Sequence, residues 1–220
     1  MPTPETGSAD VLERWQQDEH TRNRLLRAAV QVFDRKGFAS ASVREIVELA
    51  GVTKPALYYH FGNKDGVLTA ILEEGAREFR AAIARAVGRS GGTRDRLFAL
   101  FDEVNGLFEK NVPVARVAHA VIQGPAEGVP RFDFSVFDRS WEGALQTILE
   151  AGRAAGDVRQ SDPEDAVLAL TGVLSLCAAR HLHPQYQSIG QARLRRVVEA
   201  VCDGLLVPGP GVASAAAPGA

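Results

Sequence analysis

Apolar positions recur at i, i+3, i+4 and i+7 along most of this chain, which is the spacing of amphipathic helices. Val43, Ile46, Val47 and Ala50 form one such stripe, with Arg44, Glu45 and Glu48 on the other side. Ser42 and Glu45 stand in capping-box spacing, so a helix is expected to begin there, and Gly51 ends it as the residue that tolerates a left-handed C-terminal position. Thr53 is the expected N-cap of the next helix, Lys54 to about Tyr59, with Pro55 in its first turn, where a missing amide proton breaks no hydrogen bond. Val52, Ala56 or Leu57, and Phe61 are its inward anchors. Lys54, Tyr58, Tyr59, His60 and Lys64 are left to face outward.

The helical period then continues, so the rest of the chain is expected to be all helix. Asn63 caps a long helix reaching Val87, with Leu68, Ile71, Leu72, Gly75 and Phe79 inside, and Gly91-Gly92 closes the region. Thr93 caps the next, where Leu97, Leu100, Phe101, Val104, Leu107 and Phe108 predict one continuously buried face. A helix from about Pro113 to Gln123 turns Val114, Val117, Ala118, Val121 and Ile122 inward, and Gly124 to Pro130 makes a connection. The following helix, about Phe134 to Ala155, uses Phe137, Trp141, Leu145, Ile148 and Leu149.

The helix that starts near Asp162-Pro163 holds no charge between Asp165 and Arg180, so it must be covered on all sides. Its stretch Ala166 to Ala179 falls short of the ~20 residues a bilayer span needs. The last helix, Gln191 to Leu206, repeats Leu194, Val197, Val198, Val201, Cys202 and Leu205 in one stripe, while Ala169, Gly172 and Ser175 leave room for close approach. Two such helices from each of two chains make an isologous four-helix bundle. Its expected interface is Ala169, Gly172, Leu176, Leu194, Val198, Val201 and Leu205.

The tight turn between the two short helices forces a steep crossing, the helix-turn-helix geometry in which the second helix enters the major groove of DNA. Charge agrees with this. From Thr21 to Lys64 there are eight Lys and Arg against three Asp and Glu, +5, in a chain of net charge −2, so the remainder carries −7. A weakly acidic protein with one basic lobe presents that lobe to phosphate. The competing account of the same residues is a solvated basic face on an ordinary helical bundle.

The stretch from Thr21 to Leu72 resembles the N-terminal domain of TetR-family transcriptional regulators. The resemblance is carried by TRNRLLRAAVQVFDRKGF, the Ala50-Gly51-Val52 turn, Leu57-Tyr58-Tyr59-His60-Phe61 and Asn63-Lys64, in order and spacing. It implies that Ser42 meets a phosphate, that Arg44 approaches a base edge, and that Lys54 and Pro55 sit where bases are read, with Thr53 beside them in the DNA-binding set. Tyr58 and His60 resemble the family's phosphate-binding aromatic and histidine, Tyr59 flanks the groove, and Lys64 clamps phosphate. Ala56 departs from the pattern, since the family often places Thr, Ser or Gly there; its methyl donates no hydrogen bond but can meet a thymine. Arg22 and Arg24 are two further candidates for phosphate.

The resemblance also implies the fold and the assembly. A three-helix DNA-binding domain is expected at residues 18–78, with the helix-turn-helix at about 42–61, joined by the fourth helix to an effector-binding and dimerisation domain at 79–207. About nine helices in all are expected. Dimerisation sets two recognition helices about 34 Å apart, so double-stranded DNA with a palindromic operator is the expected partner. An effector in the second domain would move the fourth helix and change the separation of the recognition helices. Repression is the expected default, with activation open.

Composition sets the remaining limits. Residues 1–20 lack an apolar run resembling a signal peptide, so cytoplasmic residence without a membrane is expected. Residues 1–17 are expected to be a mostly flexible extension, with Asp10 to Glu19 a candidate helical extension before the first helix, Asp10 and Glu13 standing in capping-box spacing; 208–220 is expected to be a disordered tail. Cys177 and Cys202 lie in apolar helical stretches as small hydrophobes.

Phe101, Phe108, Phe137 and Trp141, joined by Arg116 and His119, are the candidate lining of an effector pocket, against the alternative of simple core packing. Cys177, His181 and His183 invite a metal reading, but HLHP is not a helical i, i+4 ligand pair, and no metal or cofactor is expected. No GxSxG, P-loop, HExxH or CxxC motif points to an enzyme. Two other readings stay open: an architectural, effector-independent DNA-binding protein, and a small-molecule-binding protein or enzyme with a basic lobe.

Overall fold

The computed structural model describes residues 11, 12, 15, 20–123, 130–159, 163–182, 186 and 189–207. Among these, nine helices follow in order: α1 (Thr21–Lys36), α2 (Val43–Ala50), α3 (Lys54–Phe61), α4 (Lys64–Val87), α5 (Thr93–Lys110), α6 (Val112–Gln123), α7 (Ser135–Ala154), α8 (Pro163–Leu182) and α9 (Gln191–Leu205). The architecture is all-α, as the periodicity predicts. The one extended pairing among the described residues is an isolated antiparallel bridge between Val158 and Leu206, which ties the end of α9 to the loop after α7.

The residues divide into two compact units, each with its own core. The first comprises described residues up to Ala81 together with those of Gly106–Phe137; the second comprises Ala82–Asn105 and those from Asp138 on. Helices α4, α5 and α7 each contribute residues to both. The expected change of domain after residue 78 falls close to the break after Ala81, but α6, expected among the effector-binding helices, groups with the first unit.

In the first unit, α1 buries Leu25, Leu26, Ala29, Val32 and Phe33, Ile46 and Val47 come from α2, and Val67, Leu68 and Ile71 come from α4. Val114 and Val117 of α6 join this core, and Arg116 pairs with Asp34 of α1 at 3.3 Å. Ile122, expected inside, is 47% exposed. Val11 and Trp15, expected in a mostly flexible extension, are buried in this core at 1% and 2% exposure, and the Leu12 N–H donates to Asn111 Oδ1 at 3.3 Å. The rest of residues 1–19, the 124–129 connection, Asp162, His183 and the 208–220 tail lie outside the described residues.

In the second unit, Leu97, Leu100, Phe101 and Val104 of α5 are buried, whereas Leu107 and Phe108, expected to continue that face, are half-buried and group with the first unit. Thr93 is not a cap. It is the first residue of α5, and its hydroxyl donates to Asp157 Oδ2 at 3.1 Å, while the Gly92 carbonyl accepts from Arg96 N–H and the Gly92 N–H reaches the Asp95 carboxylate. Gly152 is needed beside this pair, since a Cβ there would lie 2.3 Å from Thr93 Oγ1.

Helix α8 corrects the length estimate made from its charge-free stretch. At twenty residues it is long and apolar enough, by length and composition alone, to cross a membrane. It nevertheless buries the stripe of a core helix, Ala166, Leu170, Leu174, Cys177 and His181, the last with Nε2 3.0 Å from Asn105 Oδ1. His181 is thus a hydrogen-bonded core histidine, and no metal-holding cluster occurs among the described residues. Both thiols are free and buried, and burial pushes the Cys202 thiol up to about 11.

Candidate nucleic-acid interface

Helix α2 starts where the sequence says it should. Ser42 Oγ accepts the Glu45 N–H at 3.3 Å, and Glu45 Oε2 accepts the Ser42 N–H at 3.0 Å, a complete capping box. Lys36, which sequence reasoning left unassigned, adds a third partner: its ammonium donates to Glu45 Oε1 at 2.6 Å. Lys36 and Ser42 hold the Glu45 carboxyl at about 2, below its ordinary 4.5. The stability this carboxylate gives is therefore present above pH 4.5 and is lost as pH falls through about 2. Ser42→Ala is expected to cost about 1 kcal/mol in urea unfolding at pH 7, the usual loss for an N-cap.

Gly51 adopts φ 63° and ψ 37°, the left-handed cap the turn requires, and its N–H reaches the carbonyls of Glu48 and Val47. Thr53 occupies the N-cap position of α3 with extended backbone, but its side chain makes no capping hydrogen bond; its carbonyl accepts the N–H of Ala56 and Leu57. A hydroxyl not used on its own helix is free for an external acceptor. Pro55 stands in the first turn of α3 as expected.

Helix α3 buries one residue, Leu57, at 0% exposure. Lys54, Pro55, Tyr58, Tyr59 and His60 are all exposed, Tyr58 at 51% and Tyr59 at 86%. Large aromatic rings left in water on a helix that has a core available are unexpected from packing alone. Lys54 and Tyr58 stand at i, i+4 on one side of α3. Tyr59 and His60 meet edge to face at 5.1 Å. On α2, the Arg44 guanidinium is 75% exposed and pairs with Glu48 at 2.7 Å, an exposed ion pair that costs little to exchange for another anion.

Three expected phosphate ligands are occupied within the chain. Arg24 Nη2 donates to the Ala50 carbonyl at 2.7 Å and to the Gly51 carbonyl at 3.1 Å. Arg22 pairs with Glu74 at 3.4 Å and lies 5.7 Å from the centre of the Phe61 ring. Lys64 Nζ donates to the carbonyls of Phe38, Ala39 and Ala41 at 2.8, 3.4 and 2.9 Å, over the Phe38 ring. The physical reason is the same for Arg24 and Lys64: carbonyls left over at a helix end and in a short loop need donors, and a nearby cation supplies them.

The expected effector residues fall in both units. Phe101 and Trp141 belong to the second unit, stacked edge to face at 5.2 Å, and Trp141 Nε1 donates to Thr171 at 3.0 Å. At 1% and 2% exposure they are core. Phe108, Arg116, His119 and Phe137 belong to the first unit, where Phe137 meets Phe79 at 5.3 Å and Arg116 is spent on Asp34. The expected dimer residues divide as well. Ala169, Gly172 and Leu176 are exposed, Val201 and Leu205 are half-buried, and Leu194 and Val198 are buried in their own chain at 1% and 0%. On α9 it is Val197, at 40%, that faces out instead.

Comparison with known proteins bears on the same region. Residues 25–71 match the family model described as bacterial regulatory proteins, tetR family. The chain is 38% identical over 82 residues to the HTH-type transcriptional regulator BetI of Stenotrophomonas maltophilia, covering 37% of this chain and 42% of that protein. It is 35% identical over 85 residues to the HTH-type transcriptional repressor NicS of Pseudomonas putida, covering 39% and 38%. The chain thus spans about two fifths of the length of these relatives. A solved structure of a tetR-family regulatory protein from Rhodococcus RHA1 superimposes with a TM-score of 0.67 at 27% identity, covering 83% of this chain and 95% of that one. The motif, the capped helix-turn-helix and the structural match agree that the segment at residues 25–71 is similar to the N-terminal segment of the tetR family of bacterial regulatory proteins.

Proposed function

We propose that this protein is a cytoplasmic, DNA-binding transcriptional regulator, a repressor that binds a palindromic operator as a homodimer and is released by a small molecule. The observation that carries the DNA reading is the exposed set Arg44, Lys54, Tyr58, Tyr59 and His60 on a capped helix-turn-helix inside a stretch of charge +5. Thr53 and Pro55 flank it, and Ser42 presents the α2 N-terminus. In this reading, α3 enters the major groove with Lys54 and Tyr58 toward bases and phosphate, while Tyr59 and His60 meet the backbone.

The homodimer reading is supported by the exposed apolar residues Leu168, Ala169, Gly172 and Leu176 on α8 and Val197 on α9. A covering of these by a second copy accounts for a helix without charge over its middle turns. Release by an effector rests on the likeness to tetR-family regulators and on α4, one continuous helix contributing to both units, as the element whose displacement would alter α3.

Titration of labelled palindromic DNA, taken from upstream of the gene, tests this reading. Affinity should fall linearly with salt on a log-log plot, and a scrambled duplex should bind more weakly by about 10³-fold or more. Equal affinity for both duplexes would remove the regulator reading. An operator affinity that no host metabolite alters would favour the architectural alternative.

A further inference from the structure

We propose that Arg24 and Lys64 are positioning residues of the DNA interface, bracing the two flanks of α3 through backbone carbonyls without meeting phosphate. The inference rests on the DNA-binding reading above.

Helix α3 cannot orient itself. Eight residues are too few for a helix to be stable alone in water. Leu57 is its one fully buried side chain, with Phe61 partly buried against the same core, so packing holds a single face and leaves the ends of a short rod to be fixed by other contacts. The direction of α3 therefore depends on how the chain is held where it enters, at Gly51, and where it leaves, at Lys64.

Both points are held by a cation. At the entry, the left-handed Gly51 turns the chain out of α2 and leaves the carbonyls of Ala50 and Gly51 without partners in the helix. The Arg24 guanidinium, from α1, spans both at 2.7 and 3.1 Å. A rigid planar fork with two acceptors fixes an angle as well as a distance, and its charge suits the negative end of α2. The fit is close, since a Cβ on Gly51 would come within 2.8 Å of Arg24 Nη2.

At the exit, Lys64 opens α4, and its ammonium has three N–H groups for the three carbonyls of Phe38, Ala39 and Ala41. The Phe38 ring, 4.3 Å away, covers another side of the charge. This pins the α3–α4 junction to the loop that leads into Ser42, the α2 cap. Gly66 tightens the same junction, because a Cβ there would lie 1.9 Å from the Phe61 carbonyl oxygen. With every N–H of Lys64 used, a phosphate would have to displace a carbonyl to reach it.

The two roles predict different salt behaviour. Removing a cation that touches phosphate lowers the slope of log affinity against log salt by about 1, whereas removing a brace lowers affinity at every salt concentration and leaves the slope alone. Operator titrations from 50 to 200 mM salt with Arg24→Met, Lys64→Met and, as the phosphate control, Lys54→Met separate them. Each protein is held well below its own melting midpoint, so that only folded protein is read.

Lys54→Met should lower the slope. Arg24→Met and Lys64→Met should each weaken binding about tenfold or more with the wild-type slope, and Arg24→Lys, which can still serve one carbonyl, should recover part of the loss. If Arg24→Met does not fold, Arg24→Lys decides by the same slope. A slope lowered by about 1 at Arg24 or Lys64, or unchanged affinity, overturns the proposal. Wild-type protein with no salt-dependent operator preference overturns the DNA reading instead, a result visible before any variant is made.

Discussion

The double variant Leu168→Glu, Leu176→Glu is expected to elute as a 23.6 kDa monomer where the wild type runs at twice that mass, and to lose operator binding without unfolding. Leu168 is 72% exposed and Leu176 60% exposed on α8, so within one chain neither substitution removes a packed side chain. Surface changes of this kind usually move stability by no more than about 0.5 kcal/mol. Helix content and urea midpoint should therefore hold. In an isologous interface each substitution appears twice, which brings four new carboxylates into an apolar contact close to their symmetry mates. The cost of burying unpaired charge is several kcal/mol per ion.

Loss of the dimer removes the link between half-sites. The second half-site then binds from bulk solution instead of at an effective concentration in the mM range, a loss of roughly 10²–10⁴ in apparent affinity. Light scattering and operator titration read the two consequences separately. A variant that remains dimeric places the interface elsewhere on the chain, and a monomer that binds the full operator as well as wild type removes the need for a dimer.

Those two residues also mark where the sequence was and was not sufficient. Helix positions in the first unit were legible because α2, the turn after it and α4 announce their own ends: Ser42 and Glu45 for α2, Gly51 and Pro55 for the turn, Asn63 with its carboxamide on the Gly66 N–H for α4. Such signals are local, needing only residues three or four apart. Which side of a buried helix faces its own chain is not local. In α9, Leu194, Val197, Val198 and Val201 make one apolar stripe in sequence, yet Leu194 and Val198 turn into the core and Val197 turns out. Periodicity locates a stripe wider than either contact and cannot divide it.

Cations posed the same difficulty. An Arg or Lys in a basic stretch reads as a phosphate ligand by charge, but Arg22, Arg24 and Lys64 are taken by Glu74 and by carbonyls that only tertiary structure brings near. Arg24 lies twenty-six residues from the Ala50 carbonyl it serves, and Arg116 eighty-two from Asp34. The aromatic residues are a related case: Phe101 lies on α5 and Phe137 and Trp141 stand four residues apart on α7, yet Phe101 and Trp141 pack in one unit and Phe137 in the other. The exposed aromatics of α3 were legible because they break the pattern rather than follow it, with Leu57 the apolar neighbour that the helix buries in their place.

Leu57→Ala should cost about 2–5 kcal/mol of unfolding free energy, the range for a fully buried leucine. Against a total stability of about 5–15 kcal/mol for a domain, this is enough to lower the melting midpoint clearly while leaving most molecules folded in the cold. The side chain is 0% exposed and packs in the core shared by α1, α2 and α4, and it is the one such anchor on α3. Its loss should therefore appear first in α3, as faster amide exchange there than in α1, and operator affinity should fall even where the protein is folded.

Tyr59→Ala, one helix position pair away and 86% exposed, makes the contrast. It removes as large a side chain with no core to vacate, so the urea midpoint should stay within about 0.5 kcal/mol of wild type while operator binding weakens. The two substitutions thus separate the side of α3 that holds the helix from the side that is offered to DNA. A Leu57→Ala loss below about 1 kcal/mol would mean the site collapses around the smaller residue and that α3 is held chiefly by its ends. A Tyr59→Ala protein as unstable as Leu57→Ala would mean the ring is packed rather than presented.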